Sequence, residues 1–508
     1  MLITLTAPAF AETWYIENGD ITVKAGDTKG TNKVSQGSII DKVDTNTIIT
    51  NSDKATASSN TVTIEAGNDK VEVTLKDVNI DTSSRNKAAV SVTGSGNTTI
   101  KLDGDNALKS DTYRSGIAST GSLTISGGEN DSLTAQGGSG ANGISSSGSL
   151  TISGGTVTAT GGNNTGSDGS GGSGIYSVSG SVTISGGTVN ANGGNGGTIS
   201  GGDGICSSGG VTISSGSTVT ANGGSGEDGS GGRGITSNGG VTVSGGTVNA
   251  KGGSGKNGNG GDGILSFNPV AISGGTVKSN GGSGTISGGD GIRSLDHVAI
   301  SGGTVKSNGG SGTNSGGYGI ISNDIDLSGS LELTAKAGSP NGKALSRAGH
   351  EFDLDTIKDK LDPGAKVTTT DADGKVIQQV SIPRPVEPEK PVIPEESSSS
   401  SGGGSSAPSA PVSSIPGLTV TDKSGAVISY TSTQSGNTLT VCVGRFTASF
   451  RISLSTLRQL RAEGIETITF QTILCSTTLS VDELLAMGGE DAEAVLTHRS
   501  TDSSLTVG

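Results

Sequence analysis

Aromatic residues are scarce in this sequence: Phe, Trp and Tyr make up only 2% of its 508 residues. Between positions 116 and 338 the aromatic residues are Tyr176, Phe267 and Tyr318. Sites that hold one sugar ring tightly use the large flat surface of an aromatic side chain. The sequence therefore argues against tight recognition of a single sugar.

Cysteine is nearly absent as well, with Cys206, Cys442 and Cys475 in the whole chain. Three cysteines exclude a disulfide-rich scaffold and a zinc site built from cysteine. Cys442 and Cys475 could form a disulfide in an exported chain or remain two buried thiols, and the sequence leaves both open. Cys206 occupies a repeat position that holds Ala, Ser, Tyr, Thr, Leu, Arg or Ile elsewhere, so it carries no shared chemistry.

Positive charge and long apolar runs are also lacking. The 33 basic residues are outnumbered by 47 acidic ones, giving a net charge of -14, which repels phosphate backbones, so we expect no nucleic-acid partner. No run approaches the ~18 apolar residues that a membrane-spanning helix needs, and we expect no transmembrane segment.

The first residues predict export. Residues 1–11 are apolar and end in Ala9-Phe10-Ala11 before polar Glu12, which is typical of the end of a secretory signal peptide. We therefore expect a partial signal peptide at 1–11 and a secreted or cell-surface location. Because no basic stretch precedes the apolar one, we expect the natural start to lie upstream.

What the sequence does contain is a repeat. The dipeptide Gly-Ile returns eight times at intervals of 27 to 31 residues, each time followed by a Val-Thr-Ile-Ser-Gly-Gly block, a Thr-Val-x-Ala block and a variable Gly/Ser/Asn stretch. The isoleucines are Ile117, Ile144, Ile175, Ile205, Ile235, Ile264, Ile292 and Ile320. A fixed period of this length indicates a solenoid, because a disordered glycine-rich chain has no reason to keep it.

The blocks alternate apolar with small polar residues, which predicts three short strands per repeat. In one repeat Ile205, Val211, Ile213, Val219 and Ala221 share the inward parity. Stacking the repeats at the ~4.8 Å strand spacing puts identical side chains above one another. The fold class is therefore all-β, a three-sided parallel β-helix.

Glycine pairs recur where the second strand must turn into the third. At such corners glycine adopts a positive φ without steric cost. The predicted corner pairs are residues 154–155, 186–187, 245–246, 274–275 and 302–303.

Shifts of composition divide the rest of the chain. A short helix at 352–361 and a strand at 367–382 are predicted to close the end of the β-helix. The stretch that follows is rich in Pro and Ser and predicts an extended, disordered linker. The expected organisation is N-terminal β-helix rungs at 12–105, Gly-rich repeats at 106–338, a C-terminal cap at 339–382, the linker at 383–416 and a small domain at 417–508.

The small domain reads as an α+β module. Strands are predicted at 418–421, 427–431, 439–443 and 448–452, then a helix from Ser455, a strand at 465–470 and a second helix. Ser480 and Glu483 have the Ser-x-x-Glu spacing of a capping box for that second helix. His498 has no Ser or Cys partner at motif spacing, and we expect it to be a solvated surface residue.

Four kinds of segment in the first two-thirds of the sequence carry a family resemblance. They are residues 71–80 (VEVTLKDVNI), 102–108 (LDGDNAL), 121–127 (GSLTISG) and the repeated Gly-Gly-Asp-Gly-Ile turn. Over roughly residues 60–340 the chain resembles the carbohydrate-binding β-helix proteins secreted by clostridial and related Gram-positive bacteria. The resemblance implies a right-handed parallel β-helix that binds plant or cell-wall polysaccharide without cleaving it, with calcium held by paired aspartates in some members.

Calcium is the one candidate cofactor, and its candidate ligands are Asp203, Asp262 and Asp290. Each follows a glycine where the family would have a second aspartate, which weakens the case for a metal site. The repeat period predicts that Asp262 and Asp290 lie one strand spacing apart, where two carboxylates would attract a cation. The alternative is solvated acidic turns in which Arg233 pairs with Asp262.

The third strand of each repeat supplies the candidate polysaccharide site, because its outward positions form columns of amides and ammonium groups. These columns could match the groups repeated along an extended sugar chain, or simply bond to their own neighbours. The candidate residues are Asn190, Asn192, Asn222, Asn249, Lys251, Lys278, Asn280, Lys306 and Asn308.

Three functions follow from these features. We expect a non-catalytic, monomeric protein that recognises polysaccharide along a β-helix face and acts as an adhesive surface module. The first alternative is a structural stalk that presents the C-terminal domain. The second is a polysaccharide lyase or hydrolase, which the second strand disfavours because its outward positions hold Thr and Ala rather than an acid with a base.

Overall fold

The computed structural model describes residues 11–164, 166, 169–383, 415, 417–422, 425–428, 430–443, 445, 447–472, 476–489, 492–498 and 503–507. These residues form two units, a β-solenoid that ends at residue 383 and a module that begins at 415. Nearly all of the predicted linker and of the predicted signal segment 1–11 lies outside the described residues. Within the described residues, no helix combines the length and apolarity of a membrane span.

The solenoid confirms the predicted parallel β-helix, with about 14 turns. Most turns contribute one short strand to each of three faces, and strands at the same repeat position pair in parallel on successive turns. Face one comprises Ile21–Ala25, Val62–Gly67, Val90–Gly94, Ile117–Ser119, Ile144–Ser146, Ile175–Ser177, Ile205–Ser207, Ile235–Ser237, Ile264–Ser266, Ile292–Ser294, Ile320–Ser322 and Leu345–Arg347.

Faces two and three belong to one sheet, because near the C-terminal end the long strands His297–Asn308 and Asp324–Lys336 run from one face to the other. Face two otherwise comprises Thr13–Tyr15, Ile48–Thr50, Val71–Lys76, Thr98–Asp103, Leu123–Ser126, Leu150–Ile152, Val182–Ile184, Val211–Ile213, Val241–Val243 and Val270–Ile272. Face three otherwise comprises Asn79–Asp81, Asp105–Lys109, Ser132–Gln136, Thr156–Thr160, Gly187–Asn192, Ser217–Asn222, Thr247–Lys251, Thr276–Asn280 and Lys366–Thr370.

The core is a stack of aliphatic columns, as the alternation predicts. Ile205, Ile213, Val219 and Ala221 are fully buried, and Val211 is 1% exposed. Each lies in register with its counterpart on the next turn. Burial of about 1.5–3 kcal/mol per large aliphatic side chain, repeated in every turn, holds the faces together.

Glycine corners and buried serines complete each turn. Gly246 and Gly275 have φ of 77° and 80°, the left-handed values predicted at the face-two corner. The last residue of each face-one strand from Ser119 to Ser322 is a buried serine. Ser237 Oγ, for example, donates to the carbonyl oxygens of Gly209 and Gly240 at 2.9 and 2.7 Å, which satisfies backbone groups at the turn.

Between faces three and one, the stretch predicted to be variable is an ordered glycine column. Gly202 N donates to Gly194 O, Gly224 N to Gly202 O, and Gly232 N to Gly224 O, each at 2.8 Å. A Cβ on Gly224 would lie 2.0 Å from Gly194 O, so close packing requires glycine here. The same chain of bonds continues through Gly253, Gly261, Gly282, Gly289, Gly310, Gly317 and Gly338.

Both ends of the solenoid are capped by antiparallel strands. At the first end Asn32–Gln36 and Ile39–Asp44 extend face one, and Trp14 Nε1 donates to the buried Asp44 Oδ2 at 2.8 Å. At the other end His350–Glu351 pairs with Leu345–Arg347, and the predicted helix is the 3-10 helix Leu354–Lys360. Val376–Ser381 then pairs with Lys366–Thr370. A second 3-10 helix, Ile16–Asn18, lies near the first end.

The C-terminal module has the predicted mixture of strands and helices. Its helices are Leu454–Ala462 and Val481–Ala486, and Ser480 Oγ accepts from Glu483 N as the predicted cap. One sheet contains Leu418–Thr421, Ala448–Ser453, Glu493–His498 and Ser503–Val507, and the other Thr431–Ser435, Thr438–Cys442, Thr467–Gln471 and Ser476–Ser480. Of the strand predicted at 427–431, Val427 forms an antiparallel bridge with Thr421, and Thr431 begins the strand Thr431–Ser435.

The prediction that His498 is a solvated surface residue was also wrong. Its side chain is fully buried, with Nε2 3.0 Å from Thr477 Oγ1 and the ring edge against Phe450 at 5.6 Å between centroids. Burial lowers its pKa. It continues the inward alternation of Ala494 and Leu496, which identifies it as a core residue. Cys442 Sγ lies 3.4 Å from Gln471 Oε1, and Cys475 lies outside the described residues.

Candidate functional site

The predicted polysaccharide-binding residues form a continuous surface on face three. All nine lie at outward positions of five consecutive strands, in two columns two residues apart. One column holds Asn190, Asn249, Lys278 and Lys306, and the other Asn192, Asn222, Lys251, Asn280 and Asn308. Their register places neighbouring members about 4.8 Å apart along the solenoid axis.

The amides in these columns bond to one another. Asn222 Nδ2 donates to Asn192 Oδ1 at 2.9 Å, and Asn308 Nδ2 donates to Asn280 Oδ1 at 2.7 Å. These asparagines are half-buried, and each amide keeps hydrogen-bonding capacity that one such bond does not use. The ladder therefore holds its amides in fixed positions while leaving donors and acceptors for a ligand.

The lysines of the columns are more exposed than the asparagines. Lys251, Lys278 and Lys306 are all exposed, and Lys278 is the register partner of Lys306. The next strand adds Lys336, which is the register partner of Asn308 and lies outside the predicted set. After three strands without a charged residue, from Thr156–Thr160 to Ser217–Asn222, face three thus becomes cationic.

The three predicted metal ligands lie on a different surface, at the start of face one. Each accepts a backbone N–H of the following turn through Oδ1 at 2.7 Å: Asp203 from Arg233, Asp262 from Asp290, and Asp290 from Tyr318. Asn142 accepts from the N–H of the residue one repeat later in the same way at 2.8 Å. An Asn or Asp in this column therefore links successive turns.

Asp262 and Asp290 lie on adjacent turns, as the spacing predicts, but their side chains are not solvated as the alternative interpretation requires. The side chain of Asp262 is 13% exposed and that of Asp290 is 6% exposed. Arg233 Nε lies 3.8 Å from Asp262 Oδ2, the predicted pairing, and Arg293 lies 3.4 Å from Asp290 Oδ2. With Tyr318 these residues line a groove of about 390 Å³ floored by glycines.

Burial controls the acidity of this groove. Desolvation raises the pKa of Asp290 to about 7, and the nearby Asp262 carboxylate adds to the shift. Desolvation also raises the pKa of Asp262. Next to Asp203, burial and that carboxylate raise the pKa of the Cys206 thiol to about 12. Asp290 is therefore partly protonated near pH 7, which lowers the negative charge of the pair and reduces its need for a cation.

Metal binding gains no further support from the geometry. Among the described residues, no group of three or more His, Cys, Asp or Glu side chains is arranged to hold a metal ion. Asp203 is two turns away from Asp262, with Arg233 on the turn between them. The three aspartates do not converge on one point.

One charged cluster was missed by the sequence reasoning. His297 and Asp324 start successive turns of face two, with Nδ1 and Oδ2 3.7 Å apart, and Arg347 approaches Asp324 Oδ1 at 2.9 Å. The spacing of 27 residues between His297 and Asp324 equals one repeat, which is the signal that could have identified the pair. Its side chains are between one-third and just over one-half exposed.

Comparison of this chain with protein-family models, curated proteins and solved structures found no match.

Proposed function

We propose that this protein is a non-catalytic, extracellular binding module that holds extended polysaccharide along face three. The observation that carries the proposal is the in-register columns of asparagine and lysine on five consecutive strands. A polymer lying along the solenoid axis would meet the same donors and acceptors at every turn. Many weak contacts of this kind add up through multivalency, so no aromatic platform is required.

Other features support the proposal. The apolar segment 1–11 is typical of an exported chain, and the repeats resemble those of secreted carbohydrate-binding β-helix proteins. The acidic pair favours a structural role over catalysis, because each Oδ1 of Asp262 and Asp290 is already engaged by a backbone N–H. Calcium is not part of the proposal.

A pull-down of the full chain on insoluble cellulose, xylan, pectin and peptidoglycan tests it. The test variant changes Asn190, Asn192, Asn222 and Asn249 to threonine, the residue that stands in the same columns at other turns. The control variant changes four outward face-two threonines to alanine, which occupies that column naturally later in the chain; they are Thr151, Thr183, Thr212 and Thr242.

We expect at least one polymer to retain the wild type and the control, and to release the face-three variant. Release of reducing or unsaturated sugar would instead support the lyase or hydrolase. The two units have separate hydrophobic cores and can be expressed apart. Retention by the C-terminal module alone would support the stalk and contradict the proposal.

A further inference from the structure

Four lysines gather on the last turns of face three, in a chain that is strongly acidic overall. Lys251, Lys278, Lys306 and Lys336, here called the lysine patch, lie at outward positions of four consecutive strands. The three strands before them, from Thr156–Thr160 to Ser217–Asn222, have no charged residue. The patch is therefore a local reversal of the net charge of -14.

The lysine patch is not neutralised by the protein. Within the described residues no carboxylate lies within 4.0 Å of any of its ammonium groups. On the face-three part of these strands the acidic residue at an outward position is Glu332, whose register partner on the next turn is Lys366. Glu332 therefore lies opposite a lysine that is not part of the patch, and the ammonium groups of the patch keep their charge.

The fold does not require these lysines. Lys278 and Lys306 are register partners, about 4.8 Å apart at the backbone, and like charges directly opposite one another destabilise a sheet. Uncharged residues fill the same column on neighbouring turns, including Thr220 and Thr334. Threonine at these two positions would remove the repulsion between Lys278 and Lys306. Its persistence points to a ligand whose negative charge offsets the repulsion.

We propose that the lysine patch binds a polysaccharide that carries carboxylate groups. This inference rests on the proposed function and specifies its substrate class. A uronate polymer presents a carboxylate and hydroxyls on every ring, and the amides of Asn280 and Asn308, between Lys251 and Lys336 in one column, match the hydroxyls. The ammonium groups match the carboxylates.

Charge and composition favour this ligand over nucleic acid. Single-stranded nucleic acids are held by aromatic stacking as well as by charge, and no outward position of the patch strands carries an aromatic residue. Away from the patch, the net charge of -14 repels a long phosphate polymer. A short cationic surface beside amides suits a glycan of moderate charge density.

The test measures binding of the full chain to soluble polygalacturonate by isothermal titration calorimetry at about 50 and about 200 mM salt, where screening differs strongly. The variants are Lys278→Thr/Lys306→Thr and the charge-preserving Lys278→Arg/Lys306→Arg. A charge-matched control, Lys29→Thr/Lys375→Thr, removes two exposed lysines elsewhere on the solenoid. Fully methyl-esterified polygalacturonate and single-stranded DNA are the comparison polymers.

We expect the wild type, the arginine variant and the control to bind polygalacturonate, and higher salt to weaken that binding. Loss of two exposed ion pairs with the polymer should weaken the binding of polygalacturonate by the threonine variant about tenfold. Equal binding by the threonine variant, or equal binding to the neutral ester, would overturn the inference; the latter would leave the proposed function standing. DNA binding in place of polygalacturonate would overturn it, and binding to no polysaccharide at all would overturn both.

Discussion

Replacing Gly224 by alanine tests whether the glycine column holds the turns together. The new Cβ would lie 2.0 Å from the carbonyl oxygen of Gly194 and 2.5 Å from its carbon, where no flexible side chain can move aside. Gly224 also donates to Gly202 O and accepts from Gly232 N, so a displacement would disturb hydrogen bonds on both sides.

The expected cost follows from these contacts. Overpacking costs about 1–3 kcal/mol, and each weakened hydrogen bond about 1 kcal/mol. Alanine recovers only about 0.4–1 kcal/mol by restricting the unfolded chain, so Gly224→Ala should lower the free energy of unfolding by about 2–4 kcal/mol. Gly210→Ala is the matched control, because its Cβ would meet its nearest atoms at 3.5 Å, an ordinary contact.

Urea unfolding of the full chain, followed by far-ultraviolet circular dichroism, measures the difference. Hydrogen exchange of peptides from the turns on either side of residue 224 shows whether the loss is local, as the weak coupling between distant turns of a solenoid predicts. Unfolding of Gly224→Ala at the urea concentration found for wild type and Gly210→Ala would refute the close-packing argument.

Three further predictions concern polar groups of the solenoid. Ser237→Ala should cost about 1 kcal/mol because it removes the hydroxyl hydrogen bonding to the carbonyls of Gly209 and Gly240, each of which keeps one backbone N–H donor. Ser266→Ala should cost nothing, since Ser266 Oγ is buried without a partner among the described residues; urea unfolding compares the two variants. Asp290→Asn should raise the free energy of unfolding above that of wild type at pH 8 but not at pH 4. The pKa of Asp290 is raised to about 7 in the folded protein, so wild type loses stability as the pH rises above the unfolded pKa near 4, and the variant does not. Asn142 shows that an amide fits this column. An equal effect at both pH values would contradict this. Cys206 is half-buried, and its thiol pKa is raised to about 12, so it should resist iodoacetamide at pH 8 in folded protein and react in urea, as mass spectrometry would detect. Rapid labelling of the folded protein would contradict the raised pKa.

The β-helix could be predicted from sequence because its inward columns repeat in a strict order. Ile205, Val219 and their counterparts recur with the period of the turn, and a parallel stack buries them all. Register on face three followed from the same period, which is why the positions of Lys278 and Lys306 on adjacent turns could be predicted. The repeat period does not predict what these residues bind.

The glycine column could not be predicted in the same way. Gly224 lies in a stretch whose composition looks variable. Glycine is required there because the backbone of this turn packs directly against the backbone of the preceding turn. The burial of Asp290 has the same origin, because the glycine column forms the floor of its groove. His498, in contrast, followed an alternation with Ala494 and Leu496 that was present in the sequence.

The most direct test of the central claim is a lysine footprint of the full chain with and without bound polysaccharide. An amine-reactive acetylating reagent followed by mass spectrometry reports the accessibility of each lysine. The account predicts that Lys251, Lys278 and Lys306 are protected by the polymer, while Lys29, which is exposed near the other end of the solenoid, reacts as before. Protection of lysines elsewhere, with face three unchanged, would contradict the claim that polysaccharide lies along this face.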